Sequence, residues 1–295
     1  MKRLLLLAAI GLNLLSLPAA AAPDSPTLKR IREQGVINLG HRESSIPFSY
    51  YDDKQQVIGY SQDFMSEIVR AIKGELGLPA LQVRLMPVTS ANRISLMLNG
   101  TIDLECGSTT NTVERQRQVG FSNHLFLYGI RLMVRKDAGV GGLDDLKGRN
   151  VVTTAGTTAE RLLRQLNEER KPGFSLISAK DHGESFLTLE TGRAAAFVMD
   201  EPLLHGEKAK ARKADDWAVV GRPLQTENYA CMLPKGDEGF KKVVDGAIAR
   251  LMTSGEAEKI YNKWFMSPIP PKGINLGYPM SEEIRSLYKR PNDQL

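Results

Sequence analysis

Thr101-Ile102-Asp103-Leu104-Glu105-Cys106-Gly107-Ser108-Thr109-Thr110-Asn111-Thr112-Val113-Glu114-Arg115 passes from a strand-like run, through small polar residues, to a helix start. Residues 101–105 read as a strand. Asn111 reads as a helix cap, with the acidic partner of a capping box three positions on at Glu114. The same plan recurs along the chain. Residues 36–40, 81–87, 151–153, 175–178 and 194–199 read as strands, and 61–72, 90–98, 159–167 and 185–190 as helices. Such alternation predicts an α/β fold with mostly parallel sheets, whose ligands bind beyond the carboxyl ends of the strands. Leu98-Asn99-Gly100-Thr101-Ile102-Asp103 and Glu190-Thr191-Gly192-Arg193-Ala194-Ala195 form an internal echo of helix, glycine stop and strand. The echo is compatible with two similar lobes.

The chain has 295 residues, 42% hydrophobic and 25% charged, which is more than one core comfortably serves. Its formal charge of +5 invites a nucleic-acid or membrane-surface reading. Acidic and basic residues are interleaved with no run of five like charges, which argues against a stripe for phosphate backbones. Lys2 and Arg3, an apolar run over 4–17 and Ala19-Ala20-Ala21 form an export signal, with cleavage expected after Ala21. The mature chain would then hold 274 residues at +3, soluble and exported. The competing reading is an uncleaved anchor, although Asn13 and Pro18 interrupt the run. No cysteine stands at the cleavage point, so lipid anchoring is not suggested.

Cys106 and Cys231 are the two cysteines, and nothing about them resembles a zinc site. They are expected either as one structural disulfide, which is favoured, or as two buried thiols. His41, His124, His182 and His205 show no metal-ligand spacing, and no metal or cofactor is expected. GxSxG, HExxH, CxxC, P-loop and GxGxxG patterns do not occur. The sequence reads as one that binds rather than reacts.

Four strand-to-helix segments carry the candidate binding residues: the one quoted above, Thr154-Ala155-Gly156-Thr157-Thr158-Ala159-Glu160, Asp181-His182-Gly183-Glu184 and Ser90-Ala91-Asn92-Arg93. Free amides at such helix starts favour anions, though most capping boxes bind nothing. Arg93 and Arg115 lie in such segments and Arg42 in the polar strand-to-turn segment after 36–40, and a guanidinium reads a carboxylate through two parallel hydrogen bonds. Asp200 ends the 194–199 strand, either as an ordinary cap for the next helix or as the carboxylate for a ligand ammonium.

Several motifs together carry a resemblance. They are Gly40-His41-Arg42-Glu43-Ser44-Ser45-Ile46-Pro47-Phe48-Ser49-Tyr50, Cys106-Gly107-Ser108-Thr109-Thr110 through Val113-Glu114-Arg115, Ser178-Ala179-Lys180-Asp181-His182-Gly183, and Thr253-Ser254-Gly255-Glu256-Ala257-Glu258 to Lys263-Trp264-Phe265. Over about 28–291 the chain resembles the periplasmic glutamate/aspartate-binding proteins of bacterial ABC transporters, members of the type II solute-binding proteins. The resemblance implies a two-lobed "Venus flytrap" with a double crossover. Its first lobe takes 22–126 and 230–295 and its second takes 127–229, after a signal peptide at 1–21. Both cysteines then fall in the first lobe.

It further implies that Arg115 grips the ligand α-carboxylate with Thr110 and Thr158, and that Asp200 holds the ammonium. Arg42, Ser90, Arg93 and His182 would meet a side-chain carboxylate, with Ser108 lining the site. The ligands implied are L-glutamate and L-aspartate, the partner an inner-membrane ABC permease, the place the periplasm and the state a monomer. Phe121-Ser122-Asn123-His124-Leu125 departs from the usual crossover sequence, and Glu201 stands beside Asp200. The alternative is an enzyme on the same fold, like cyclohexadienyl dehydratase. It would need Glu43, His182 or Glu201 as general acid.

Overall fold

The computed structural model describes residues 25–171 and 173–295, so the expected export signal lies outside the described residues. The strands are β1 (Val36–His41), β2 (Ser44–Ser45), β3 (Ser49–Tyr51), β4 (Val57–Ile58), β5 (Gln82–Pro87), β6 (Leu104–Glu105), β7 (Gly120–Arg135), β8 (Asn150–Thr154), β9 (Ser175–Ala179), β10 (Ala196–Asp200), β11 (Trp217–Val220) and β12 (Thr226–Leu233). Around them pack α1 (Pro26–Gln34), α2 (Tyr60–Leu76), α3 (Arg93–Leu98), α4 (Val113–Gln116), α5 (Thr158–Glu169), α6 (His182–Glu190), α7 (Glu201–Lys210), α8 (Glu238–Thr253), α9 (Glu256–Phe265) and α10 (Glu282–Lys289).

One sheet runs β5-β1-β6-β12-β7-β10-β8-β9, with β11 also paired to β7. Within its first wing β1 is parallel to β5 and β6, and within its second β8 is parallel to β9 and β10. The wings meet through β7. Its residues up to Gly129 pair antiparallel with β12, and from Ile130 onward its partners are β10 and β11. Leu125, Phe126, Tyr128, Ile130, Leu132, Met133 and Val134 are all buried. That near-continuous apolar run is what a strand covered on both faces requires. Phe126, Tyr261 and Phe265 stack in the first wing, and Phe186 packs edge-on against Trp217 in the second.

The internal echo is geometric. Gly100 and Gly192 share a φ of 74°, and their amides donate to Met97 and Leu189. The next two amides fold back to Leu96 in one case and Thr188 in the other. Asp103 N then donates to Asn38 O and Ala195 N to Asn150 O, each at 2.8 Å, docking β6 beside β1 and β10 beside β8.

Several boundaries differ from those the sequence suggests. The 101–105 strand shortens to β6 because Thr101 N and Oγ1 bond Asn99 Oδ1, while buried Asp103 accepts from Asn38 N and Arg30. Thr112, not Asn111, caps α4, accepting from Arg115 N at 3.1 Å. The Asn111 amide is occupied by His124 Nε2 and Gln116 Nε2. The helix expected from 90 begins at Arg93, since Thr89 and Asn92 bond each other across a turn. Cys106, the residue after β6, and Cys231 in neighbouring β12 are joined as a disulfide within the first wing.

Candidate ligand-binding site

Each candidate residue follows the carboxyl end of a strand. Arg42 follows β1, Ser90 and Arg93 follow β5, Ser108, Thr110 and Arg115 follow β6, Thr158 follows β8, His182 follows β9, and Asp200 ends β10. These nine residues are 1–8% exposed although all are polar or charged. Six come from the first wing and three from the second. The expected parallel strands explain the gathering, because every such strand releases its chain at the same edge.

The guanidiniums have oxygen partners but no carboxylate partner. Arg42 Nη1 donates to Ser108 Oγ at 3.2 Å, and Arg93 Nη1 to Ser108 O at 3.0 Å and Thr109 Oγ1 at 2.5 Å. Arg115 donates from Nη1 to Thr110 O at 3.0 Å and from Nη2 to Gly156 O at 3.1 Å. None of the three forms a salt bridge among the described residues. Burial, and then repulsion from Arg93, lowers Arg42 and Arg115 to about 10 each. The charges of Glu105 and Asp181 near Arg42, and of Glu227 and Asp200 near Arg115, offset this only in part, so the packed guanidiniums gain from further anions.

His182 sits against this cluster. Burial first, then Arg42 and Arg93, hold its imidazole well below the usual range, so the ring is neutral. Its Nδ1 bonds Thr154 Oγ1 at 2.8 Å while Nε2 is buried and, among the described residues, unpartnered. Ser90 Oγ and Arg93 Nε are likewise buried without partners among the described residues.

Asp200 has the opposite character. It occupies the cap position of α7 but makes no capping bond. Tyr229 donates to its Oδ2, and Oδ1 is buried with no partner among the described residues. Burial, and next the charge of Glu227, push its carboxyl up to about 8. The ordinary-cap reading of Asp200 therefore does not hold.

A cleft of about 310 Å³, lined by Ser90, Arg115, Gly156, Thr158 and Arg161 among others, opens between α3, α4 and α5. The wings touch across it. Arg161 pairs with Glu114 at the rim, and Thr110 Oγ1 lies 3.4 Å from Thr158 Oγ1 deeper in. At Gly156 a Cβ would stand 2.6 Å from Ala91 Cα, and at Gly206 2.2 Å from Ile46 O. The chain is described with its wings shut.

Other candidates are not brought in. Glu43 is exposed, Glu201 is tied to Arg131 and His205, and His41 Nδ1 contacts Arg42 O beneath Tyr51. Conversely, Tyr128, Tyr229 and Glu227 are buried at the junction and were not expected there. The signal available was Glu227, a lone acid heading the apolar stretch that ends at Leu233. Among the described residues no group of three or more His, Cys, Asp or Glu is placed to hold a metal, and no helix is long and apolar enough to cross a membrane.

Comparison with known proteins is consistent with this geometry. Residues 37–267 match the family described as bacterial extracellular solute-binding proteins, family 3. The L-glutamate/L-aspartate-binding protein of Pseudomonas aeruginosa is 57% identical over 291 residues, 98% of this chain and 96% of that one. The glutamate/aspartate import solute-binding protein of Salmonella typhimurium is 56% identical over 277 residues, 94% of this chain and 90% of that one. Among solved structures, the ligand-binding core of GluR0 from Nostoc punctiforme in complex with L-glutamate superposes with a TM-score of 0.66 at 27% identity, covering 78% of this chain and 99% of that one.

Proposed function

Because the chain belongs to the bacterial extracellular solute-binding proteins of family 3, we propose that it captures L-glutamate and L-aspartate and delivers them to the permease of an ABC transporter. The observation that carries this reading is the buried set of Arg42, Arg93 and Arg115 without carboxylate partners, together with Asp200 and its unpartnered Oδ1. A dicarboxylic amino acid supplies two anions and one cation, the complement of that set. Arg115, with Thr110 and Thr158, takes the α-carboxylate and Asp200 the ammonium. Arg42, Ser90, Arg93 and His182 take the side-chain carboxylate, with Ser108 positioning Arg42. A neutral or cationic analogue leaves two buried guanidiniums uncompensated, a penalty of several kcal/mol.

The lobes divide as 22–126 with 230–295, and 127–229, after a signal peptide at 1–21 that directs the monomer to the periplasm. Supporting the division, β7 exchanges partners between Gly129 and Ile130. A ligand held by both lobes favours the shut arrangement over an open one. The chain binds and releases without chemistry: its relatives are transport proteins, and of the general acids a lyase would need, Glu43 is exposed, Glu201 is paired, and His182 is kept neutral by burial and by Arg42 and Arg93. Calorimetry with purified protein tests the reading. One-to-one binding of either dicarboxylate is expected, and binding of glutamine or arginine with neither dicarboxylate overturns it.

A further inference from the structure

Glu227 lies in β12 opposite Tyr128 of β7, where the two strands pass between the wings, and it is buried. Among the described residues, every hydrogen bond of its carboxylate is one it accepts. Its Oε2 receives the hydroxyls of Tyr128 at 2.7 Å and Thr158 at 2.5 Å, and its Oε1 receives Gln225 Nε2 at 2.5 Å. A hydroxyl has one proton to give, so these bonds settle directions further out. Tyr128 has given its proton to Glu227, and the 2.7 Å contact between Tyr128 and Thr110 is therefore donated by Thr110. Thr158 has spent its proton as well. What each threonine Oγ1 has left to offer is a lone pair.

A second pair lies beside this one. The Tyr128 and Tyr229 rings are 4.2 Å apart, and Tyr229 donates to Asp200 as Tyr128 does to Glu227. Thr110 bridges Tyr229 through the backbone. Thr110 Oγ1 and Thr158 Oγ1, 3.4 Å apart where the wings meet, are thus left with lone pairs, and Asp200 stands next to them across the Tyr128–Tyr229 pair.

We propose that Glu227 is a positioning residue for recognition of the ligand ammonium: it consumes the hydroxyl protons around it and so leaves Thr110 and Thr158 able only to accept. The inference rests on the amino-acid reading above and changes one part of it. The two threonine hydroxyls serve the ammonium rather than the α-carboxylate, which is left to Arg115 and backbone amides. Reversing the direction of a buried hydrogen bond turns an attraction for a cation into a repulsion.

The test is Glu227→Gln, whose amide offers protons where the carboxylate offered none. L-glutamate and glutarate, which differs by lacking the ammonium, are compared by displacement titration on wild type and variant. Glutamate affinity is expected to fall at least ten times further than glutarate affinity. Equal losses, or no loss, overturn the proposal. Tyr128→Phe provides a second route if Glu227→Gln does not fold. It frees the Thr110 proton, so the same shift in preference toward glutarate is expected, and its absence is equally decisive. A wild-type protein that binds neither compound overturns the ligand assignment, a failure seen before any variant is compared.

Discussion

The Tyr229 hydroxyl donates to Asp200 Oδ2, and Asp200 Oδ1 is left buried with nothing to accept. Burial first, and then the nearby Glu227 charge, push this carboxyl up to about 8, so at pH 7 it carries a proton in the ligand-free protein. An arriving ammonium favours the carboxylate and expels that proton. Binding at pH 7 is therefore expected to release close to one proton, read as a binding heat that varies linearly with buffer ionisation enthalpy. The dependence should vanish above about pH 9, and affinity should weaken as pH falls below about 8. The folded protein keeps a proton that the unfolded chain, near 3.8, has released, so the cost of Asp200 grows from about pH 4 and is full above about pH 8. Asp200→Asn should raise the ligand-free melting temperature at pH 8 while abolishing proton release. Equal binding heats in all buffers at pH 7 would refute the arrangement.

Arg42 and Arg93 are both 1% exposed and share Ser108 as a partner, one through Oγ and the other through its carbonyl. Arg42→Ala is expected to weaken L-glutamate binding by about 2–4 kcal/mol, roughly 30- to 1000-fold, since a fully desolvated charge pair is lost. L-alanine, which has no side-chain carboxylate, should change by less than about threefold by the same calorimetric measurement. Equal losses for both ligands would remove Arg42 from the side-chain role. Arg42→Lys should recover little, because an ammonium lacks the planar pair of donors.

The strand-end loops were legible because capping residues and arginines mark them locally. Thr157 and Asp181 do cap α5 and α6 as their spacing suggests. Asn111 misled because its amide is spent on His124, a partner 13 positions away that no local pattern reveals. The long strand β7 went unread for a related reason: buried on both faces, it lacks the alternation that announces a strand. Glu227 was hidden most deeply. Its role depends on Tyr128, 99 positions earlier, and on Thr158, 69 positions earlier, so only the pairing of β7 with β12 exposes it.

The disulfide should separate stability from binding. Cys106 leads directly into Gly107 and Ser108, yet that loop is also held by Ser61 Oγ on Gly107 O at 2.8 Å and Gln62 Nε2 on Cys106 O at 2.9 Å. A Cys106→Ala, Cys231→Ala double variant is expected to lose about 2–5 kcal/mol in urea unfolding, because its unfolded chain is no longer closed into a loop. Glutamate affinity should fall by less than tenfold. A collapse of affinity at unchanged stability would mean that the bond shapes the site rather than the fold.

Gly206 offers the cleanest test of closure. It lies within α7 of the second wing, and a Cβ there would stand 2.2 Å from the carbonyl oxygen of Ile46 in the first. Nothing about its backbone demands glycine, whereas Gly156, the other close approach, has a φ of 76° and would be strained by any side chain. Gly206→Ala therefore improves the helix, by up to about 1 kcal/mol, and obstructs only the approach of the wings. The ligand-free variant is expected to melt at or above the wild-type temperature, yet to bind L-glutamate at least tenfold more weakly. Small-angle scattering should show a smaller contraction on ligand addition than wild type gives. If the variant contracts and binds like wild type, Ile46 yields to the new methyl and the contact does not limit closure. If it melts lower, the glycine serves the packing of α7 itself, and the link from Gly206 to closure fails for that reason instead.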